Sequence, residues 1–314
     1  MNHTTSQAPR HQRMVIITSI IAAVLGLTMA TPDILTQFWI ALAPIALFGI
    51  AHGGIDPWLM NRLARIRRST LLLWLGTYAA LAGAFIGIVI LQPELALVLF
   101  LLLSIWHFGR SDAPFQGFRR GSPAVWLSGS IPIIGPMFGH PGQTGQLFAW
   151  LIGADAHVVA EAVALIGPML MLGWAAGFFI LWRRSEGSGN PAGFVELLAL
   201  AGAMILLPPI IAFTFYFCAV HSTRHFLEIL ATSGSTSGTR EGWSFLFRRA
   251  APATLLAIAL GIIAWWFLGS DRNLPDMTAD AVRVLFWGLA ALTVPHVMVV
   301  ERWWAPKQAN AGIR

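Results

Sequence analysis

Long apolar runs, each about the length that crosses a lipid bilayer, follow one another along almost the whole chain. A transmembrane helix needs about 20 mostly apolar residues, because the hydrocarbon core of a bilayer is about 30 Å thick. The pattern predicts an all-α, polytopic membrane helix bundle of about ten transmembrane helices. The ten runs are 14–30, 34–51, 70–91, 94–109, 123–139, 156–182, 192–207, 209–230, 250–268 and 281–300.

The scarcity of charged residues supports this interpretation. Only 11% of the 314 residues are charged and 56% are hydrophobic, whereas an ordinary soluble domain is about 25% charged. So few charges cannot cover a water-facing surface of this size. A soluble enzyme of ordinary type, a disordered chain and a coiled coil are therefore excluded.

The positions of the basic residues predict the orientation of the helices. Lys and Arg concentrate in cytoplasmic loops, and 17 of the 20 basic residues lie on one side if the ten runs alternate from a cytoplasmic N-terminus. The exceptions are Arg224, Arg272 and Arg283. We expect both termini to be cytoplasmic, in the inner (plasma) membrane. The net charge of +6 then reflects membrane orientation, and no nucleic-acid partner is expected.

A single membrane domain is expected over 14–304, with cytoplasmic tails at 1–13 and 305–314. The first run is interpreted as a span because no small-residue cleavage pattern follows it. Residues 143–153 predict a short helix on the outer surface, and residues 233–239 form a Ser/Gly/Thr-rich loop. The Pro208-Pro209 pair indicates either a broken helix or a tight hairpin.

Five of the nine histidines lie near the ends of even-numbered runs. All these runs lead towards the cytoplasm, so the five imidazoles are expected at one depth in the membrane. Ionisable groups inside a membrane are costly and indicate function. The five are His52, His107, His221, His225 and His296.

The other four histidines are given no role. His3 and His11 are interpreted as solvated residues of the N-terminal tail. His140 and His157 are expected at the outer interface.

His221 and His225 are spaced four residues apart, which places them on one face of a helix. Neutral imidazole is a common ligand for iron, copper and zinc. With His52 and His107, the pair predicts a four-imidazole metal site, although a packed polar pair has the same spacing. Cys218 is the single cysteine, so a CxxC metal site is excluded, and we expect its side chain to be buried as a small apolar group.

Three carboxylates follow the histidines closely enough to hydrogen-bond them, as metal-binding histidines usually require. Glu228 lies seven residues after His221, and Asp56 and Asp112 follow His52 and His107 by four and five residues. Asp56 precedes Pro57, so an N-cap of a basic surface helix is an equal alternative for it.

Two further features near these histidines have simple interpretations. Gly53-Gly54 and Gly109 are expected to let the backbone leave the helix beside the site. Arg224 is expected to extend its side chain to the cytoplasmic surface.

Four short segments resemble one family when they are taken together and in order. They are His52-Gly-Gly-Ile-Asp56, Ser104-Ile-Trp-His107-Phe-Gly109, His221-Ser-Thr-Arg-His225 and Pro295-His296. In order and separation they are similar to the Brp/Blh family of integral-membrane β-carotene 15,15′-dioxygenases. The similarity runs from about residue 34 to the tenth run.

The resemblance implies a membrane enzyme that uses non-haem Fe(II) and O2 to cleave β-carotene into two retinals. His52, His107, His221 and His225 would be the iron ligands, with no catalytic group beyond them and no other cofactor. His296 would lie close by, where it hydrogen-bonds a ligand or lines the pocket. The product would suit a functional link to a retinal-binding rhodopsin.

The chain departs from the family pattern at two positions beside the ligands. Ala51 precedes the first histidine where proline is usual, and Arg110 stands where an acidic residue is common. Cleavage of another carotenoid or polyene is therefore an alternative.

Other classes of membrane protein explain fewer of the histidines. A di-iron desaturase would need an H-x-x-H-H cluster, and a haem-binding subunit would use only two axial imidazoles. A transporter with histidine proton relays is the non-enzymatic alternative. A rhodopsin is excluded because its Schiff base needs an intramembrane lysine, and the single lysine is Lys307 in the C-terminal tail.

Overall fold

The structure, a computed structural model, describes residues 4–63, 67–184, 191–233, 240–269 and 274–311. Within these ranges the chain forms eleven helices and no strand, which confirms the predicted all-α fold. The helices are α1 (Thr4–Thr28), α2 (Ile34–Leu63), α3 (Arg68–Leu91), α4 (Pro93–Asp112), α5 (Ala124–Gly139), α6 (Pro141–Ile152), α7 (Ala156–Arg184), α8 (Pro191–Leu206), α9 (Pro209–Thr214, Phe215–Ser222 and Thr223–Ser233 in succession), α10 (Arg240–Gly269) and α11 (Leu274–Ala311).

The helix count differs from the prediction of about ten. Ten of the described helices cover the ten apolar runs, and the additional one is α6, where a short helix was expected. By length and composition seven helices can cross a membrane, namely α1, α2, α3, α4, α7, α10 and α11. Helices α5 and α8 are apolar but only 16 residues long. The chain is a multi-pass membrane helix bundle, with fewer full-length spans than the apolar runs suggested.

Large apolar side chains on the outside of the helices support the membrane assignment. Leu72, Leu73 and Ile90 on α3 are 68%, 70% and 74% exposed, and Phe267 on α10 is 79% exposed. A soluble protein seldom exposes continuous apolar surface on this scale. In a bilayer the same surface is solvated by lipid chains.

Local chemistry sets the ends of several helices. The Asp33 carboxylate accepts hydrogen bonds from the backbone N–H and the hydroxyl of Thr36, at 2.9 and 3.0 Å, and so caps α2. Those donors stabilise the ionised carboxylate and lower the pKa of Asp33. Between α8 and α9 the chain leaves the helical conformation at Leu207 and Pro208, where Pro208 has a ψ of 148°.

Two predictions concern residues that the structure does not describe. His3 lies outside the described residues, and so does the predicted loop 233–239 except for Ser233, the last residue of α9. At the other end, α11 continues to Ala311.

The chain divides into two compact units. Unit 1 comprises Met1–Gly49 and Leu101–Gly242, and unit 2 comprises Ile50–Phe100 and Trp243–Arg314.

Within unit 1, glycines bring α4 and α5 into close contact. A Cβ atom at Gly109 would overlap the carbonyl oxygen of Val125, and one at Gly129 would overlap the carbonyl oxygen of Ile105. Small residues let membrane helices approach in this way. The prediction that Gly109 ends the helix is therefore wrong: α4 continues to Asp112, and Gly109 is a packing contact that fixes the part of α4 carrying His107.

Within unit 2, α2 packs against α10 and α11. A Cβ atom at Gly54 would overlap the hydroxyl of Thr254 on α10. The Trp58 ring lies 5.5 Å from that of Phe245 and 6.3 Å from that of Trp303, measured between centroids. These contacts position the end of α2 that carries His52.

Candidate metal centre

In unit 1, His107 on α4 and His221 on α9 form a pair of buried imidazoles. Their ring centroids are 5.0 Å apart with the planes at 72°. The Phe108 ring packs edge-on against His221 at 4.7 Å. His225, four residues after His221, is also buried, as a position on the same helix face predicts.

The helix that carries His221 is locally widened. Residues Phe215–Ser222 form a π-helical segment, and the Ser222 hydroxyl donates to the carbonyl of Phe217, five residues earlier. A second π-helical segment, Ile45–Gly49, lies in the same unit. The two segments touch where Gly49 faces the Phe217 ring, which a Cβ atom would approach to 2.7 Å. π-Turns are rare and occur often at functional sites.

A buried carboxylate lies behind His221. Asp112 approaches the Nδ1 atom of His221 to 3.7 Å with its Oδ1 atom. Its Oδ2 atom accepts a hydrogen bond of 2.7 Å from the Tyr216 hydroxyl and pairs with Arg224 at 3.1 Å. Asp112 was expected beside His107, and the structure instead places it next to His221.

Arg224 is the centre of a buried ionic group, so the prediction that it reaches the cytoplasmic surface is wrong. Its side chain is fully buried and pairs with both Asp112 and Glu196. The guanidinium lies over the Phe115 ring at 5.4 Å. Asp112 and Glu196 supply the counter-charge that a guanidinium needs when it is buried away from water.

The ionic group continues into neutral partners. The Gln116 amide donates to Glu196 at 2.8 Å, and the Ser128 hydroxyl donates to the Gln116 carbonyl. Glu228, expected to support the histidine pair, forms an ion pair of 2.6 Å with Arg120.

In unit 2, a second pair of buried imidazoles has a similar environment. His52 on α2 and His296 on α11 have ring centroids 4.8 Å apart with the planes at 81°. The Nδ1 atom of His296 lies 2.9 and 3.0 Å from the two carboxylate oxygens of Asp56. The Tyr78 hydroxyl donates to the same carboxylate at 3.0 Å.

These contacts bear on the two alternatives for Asp56. Its carboxylate is buried and bonds a histidine ring, whereas the first backbone bonds of the next helical turn go to the carbonyl of Ile55. Asp56 therefore bonds an imidazole, but that imidazole belongs to His296 and not to His52, its neighbour in sequence.

The histidines given no role fall into two groups. His157 is exposed and lies 3.4 Å from Glu161, and His140 lies 3.3 Å from the carbonyl of Leu206. His11 was expected to be solvated, and this is wrong. Helix α1 already begins at Thr4, and His11 is buried with its ring 6.0 Å from that of Phe115. Cys218 is buried as expected.

Four residues at these sites were missed by sequence reasoning. The sequence patterns did not single out Tyr78, Tyr216 or Glu196, and they predicted Arg224 at the surface. The composition of the sequence does set the tyrosines apart, because the chain has only two of them beside 20 phenylalanines and 14 tryptophans. A tyrosine hydroxyl that is buried in a membrane helix bundle needs a hydrogen-bond acceptor, so each tyrosine indicates a polar contact.

The donor set fits a metal ion. Buried neutral imidazoles are typical ligands of first-row transition metals. Carboxylates that accept from the far ring nitrogen are the usual partners of such ligands. The fold and these side chains define a multi-pass membrane protein with histidine sites suited to a metal.

Comparison with known proteins identifies the family. Residues 43–304 match the model of the family described as Beta-carotene 15,15'-dioxygenase, and the chain belongs to that family. The resemblance inferred from the four histidine segments is thereby confirmed.

Two curated relatives have similar sequences over most of their length. A beta-carotene 15,15'-dioxygenase from an uncultured marine bacterium, 66A03, is 26% identical over 292 residues, which cover 88% of this chain and 97% of the relative. A probable beta-carotene 15,15'-dioxygenase Blh from Halobacterium salinarum is 26% identical over 313 residues, covering 89% of this chain and 88% of the relative. No solved structure matches the chain significantly.

Proposed function

We propose that this chain is a membrane dioxygenase that cleaves β-carotene at its central double bond with O2 to give two retinals. The observation that carries the proposal is the family match over residues 43–304, because that stretch contains the five buried histidines predicted for the site, namely His52, His107, His221, His225 and His296. Both curated relatives are named for this activity, one of them as probable.

The proposed metal is Fe(II), bound by His52, His107, His221 and His225. Neutral imidazoles add no negative charge to the ion and four of them leave a coordination position open. Bound iron would supply the redox chemistry by which O2 reacts with the alkene. No catalytic group beyond the ligands is assigned.

The chain's own residues orient the ligands. The Asp112 carboxylate lies 3.7 Å from Nδ1 of His221, and its negative charge would favour the tautomer with the proton on Nδ1 and the lone pair on Nε2. Tyr216 and Arg224 hold the Asp112 carboxylate in place from its other oxygen. A carboxylate held in this position would orient the His221 ring for metal binding.

Aromatic side chains beside His221 suit a polyene substrate. The Phe213 and Phe217 rings stack with their centroids 5.0 Å apart, and Phe217 lies nearly parallel to His221, at 11° and 6.1 Å. Phe108 covers another edge of the same imidazole. Such a wall excludes water and offers a flat apolar surface to a conjugated chain.

The reaction balances without another cofactor. One carbon–carbon double bond and one O2 molecule become two aldehydes, and both oxygen atoms come from O2. No electrons are needed from outside, so no flavin or nicotinamide site is proposed. A carotenoid is about as long as the bilayer core is thick, and an enzyme in the membrane can therefore take its substrate directly from lipid.

Expression in a bacterium that accumulates β-carotene tests the proposal. We expect loss of orange colour and formation of retinal, detected by chromatography. His221→Ala should abolish both, whereas His157→Ala, which changes an exposed histidine, should not. Unchanged carotenoid in cells that contain the folded wild-type protein would contradict the proposal.

Cleavage of another carotenoid is a second candidate, favoured by the residues that depart from the family pattern. Arg110 and Arg120 exchange hydrogen bonds between their side chains and backbone carbonyls, and Arg110 stacks on Trp106 at 5.2 Å. Strains that accumulate lycopene or hydroxylated carotenoids distinguish the two substrates. Faster cleavage of one of these than of β-carotene would establish the second candidate.

The inner (plasma) membrane is the proposed location, and a retinal-binding rhodopsin is the proposed user of the product. Co-expression with such an opsin should give a coloured pigment without added retinal. If the opsin stays colourless while β-carotene is cleaved, the result would contradict the link to a rhodopsin but not the cleavage activity.

A further inference from the structure

We infer that His296 is itself a metal ligand beside His52, and that Asp56 and Tyr78 hold its ring in the binding orientation. The inference rests on the proposed metal-dependent function, in which His296 was not assigned as a ligand. It concerns side chains of unit 2 alone.

The hydrogen bond from His296 determines which ring nitrogen can bind a metal. Its Nδ1 atom lies within 3.0 Å of both oxygens of Asp56. A carboxylate is an acceptor, so Nδ1 carries the proton and donates. The lone pair then lies on Nε2, at the opposite side of the ring. Carboxylate, histidine and metal in this order are a common arrangement in metalloproteins.

Tyr78 strengthens the arrangement from a third helix. Its hydroxyl donates to Asp56 at 3.0 Å and lies 3.5 Å from the carbonyl of Leu292, one turn before His296. The Asp56 carboxylate thus accepts from α3 and α11 while it belongs to α2. Two donors from two other helices fix the position of the carboxylate in a buried setting.

The neighbouring imidazole makes a shared ion geometrically reasonable. The His52 and His296 rings meet edge to face, with centroids 4.8 Å apart and planes at 81°. Both are buried, at 7% and 3% exposure. Metal-bound imidazoles commonly lie at about this separation, because each nitrogen is about 2.0–2.1 Å from the ion.

A related arrangement occurs in unit 1, where the carboxylate and the imidazole are 3.7 Å apart. There His107 and His221 have ring centroids 5.0 Å apart, and Asp112 faces His221 while it accepts from Tyr216. The two tyrosines of the chain thus both donate to an aspartate that faces the second histidine of a pair. His296 has the place in unit 2 that the proposed ligand His221 has in unit 1.

A purely structural role makes a different prediction. If His296 only joins α11 to α2, any side chain that donates to Asp56 from the position of Nδ1 should replace it. Asparagine does this, since its amide nitrogen occupies nearly the position of Nδ1, but it has no atom at the position of Nε2. His296→Asn therefore separates the two roles.

The experiment measures metal binding by the purified full-length protein in detergent micelles. Co(II) is added to the metal-free protein, and affinity and visible absorption are recorded; iron content after expression is measured in parallel. We expect His296→Asn to weaken Co(II) binding by at least about 10-fold and to change the absorption band. Asp56→Asn should weaken binding by about 10–100-fold, as loss of such a partner typically does. Tyr78→Phe should have a smaller effect in the same direction, and His157→Ala should have none.

The outcomes separate this inference from the proposed function. Wild-type protein that binds neither iron nor Co(II) would overturn both. Metal binding by the wild type, with the same affinity and spectrum in folded His296→Asn, would overturn only the inference. If His296→Asn does not fold, the Co(II) affinities of Asp56→Asn and Tyr78→Phe test the inference instead. Wild-type affinity in both of these variants would overturn the inference.

Discussion

Removing the Arg224 guanidinium should destabilise the protein more than removing any other single cation of unit 1 whose ion pairs are described. Arg224→Met leaves Asp112 and Glu196, both almost fully buried, without their shared counter-charge. At an effective dielectric constant of about 20, a pair at 3.1 Å is worth about 5 kcal/mol before desolvation is subtracted. Breaking a buried ion pair on one side typically costs about 3–5 kcal/mol, and we expect a loss in that range.

A matched variant and a compensated variant isolate the charge effect. Arg120→Met breaks the Arg120–Glu228 pair, whose side chains remain 15% and 10% exposed, and should cost about 1–2 kcal/mol. Adding Asp112→Asn and Glu196→Gln to Arg224→Met removes the stranded charges and should recover much of the loss.

Unfolding in detergent, followed by tryptophan fluorescence, supplies the free energies. The 14 tryptophans give a strong signal for this purpose. The reasoning would be refuted if Arg224→Met cost no more than Arg120→Met, or if the compensated variant were no more stable than Arg224→Met alone.

Three further outcomes follow from the packing and from the proposed metal. Gly49→Ala should lower retinal formation severalfold with the fold retained, because its Cβ atom would meet the Phe217 ring within the π-helical segments; a wild-type rate would contradict this. Gly109→Ala should reduce folded protein strongly, since its Cβ atom would overlap the Val125 carbonyl, whereas Gly76→Ala, which has open space around it, should be tolerated; equal yields of the two variants would disprove the packing argument. An iron chelator should abolish cleavage by the purified protein and Fe(II) should restore it, and activity that survives complete metal removal would exclude the proposed chemistry.

The helical membrane fold was predictable because it follows from local apolar content. Each apolar run is a helix in the structure, and even the short helix α6 was indicated by its sequence. The number of full-length spans was less predictable: α5 and α8 are apolar but short, and hydropathy alone does not show where a helix stops.

The histidines were predictable as individual residues, whereas their partners were not. Sequence proximity suggested that Asp56 supports His52 and that Asp112 supports His107. In the structure Asp56 bonds His296 and Asp112 faces His221. Each of these contacts joins different helices, and spacing along a single helix carries no information about them.

Arg224 shows the same limit in electrostatics. Near the end of a run, an arginine with water within reach would extend towards the surface. Its buried position depends on Glu196 from α8 and Asp112 from α4, which are 28 and 112 residues from it in sequence. Only the tertiary structure brings the three charges together.

The central claim, that buried histidines of this chain bind the iron that cleaves β-carotene, is tested most directly by product stoichiometry. Purified protein loaded with Fe(II) is given β-carotene in micelles under O2, and substrate, retinal and iron are measured together. We expect about one iron per chain, two retinals for each β-carotene consumed, and neither iron nor retinal in His221→Ala. Products of any other chain length, or undiminished cleavage by the His221→Ala protein, would contradict the account.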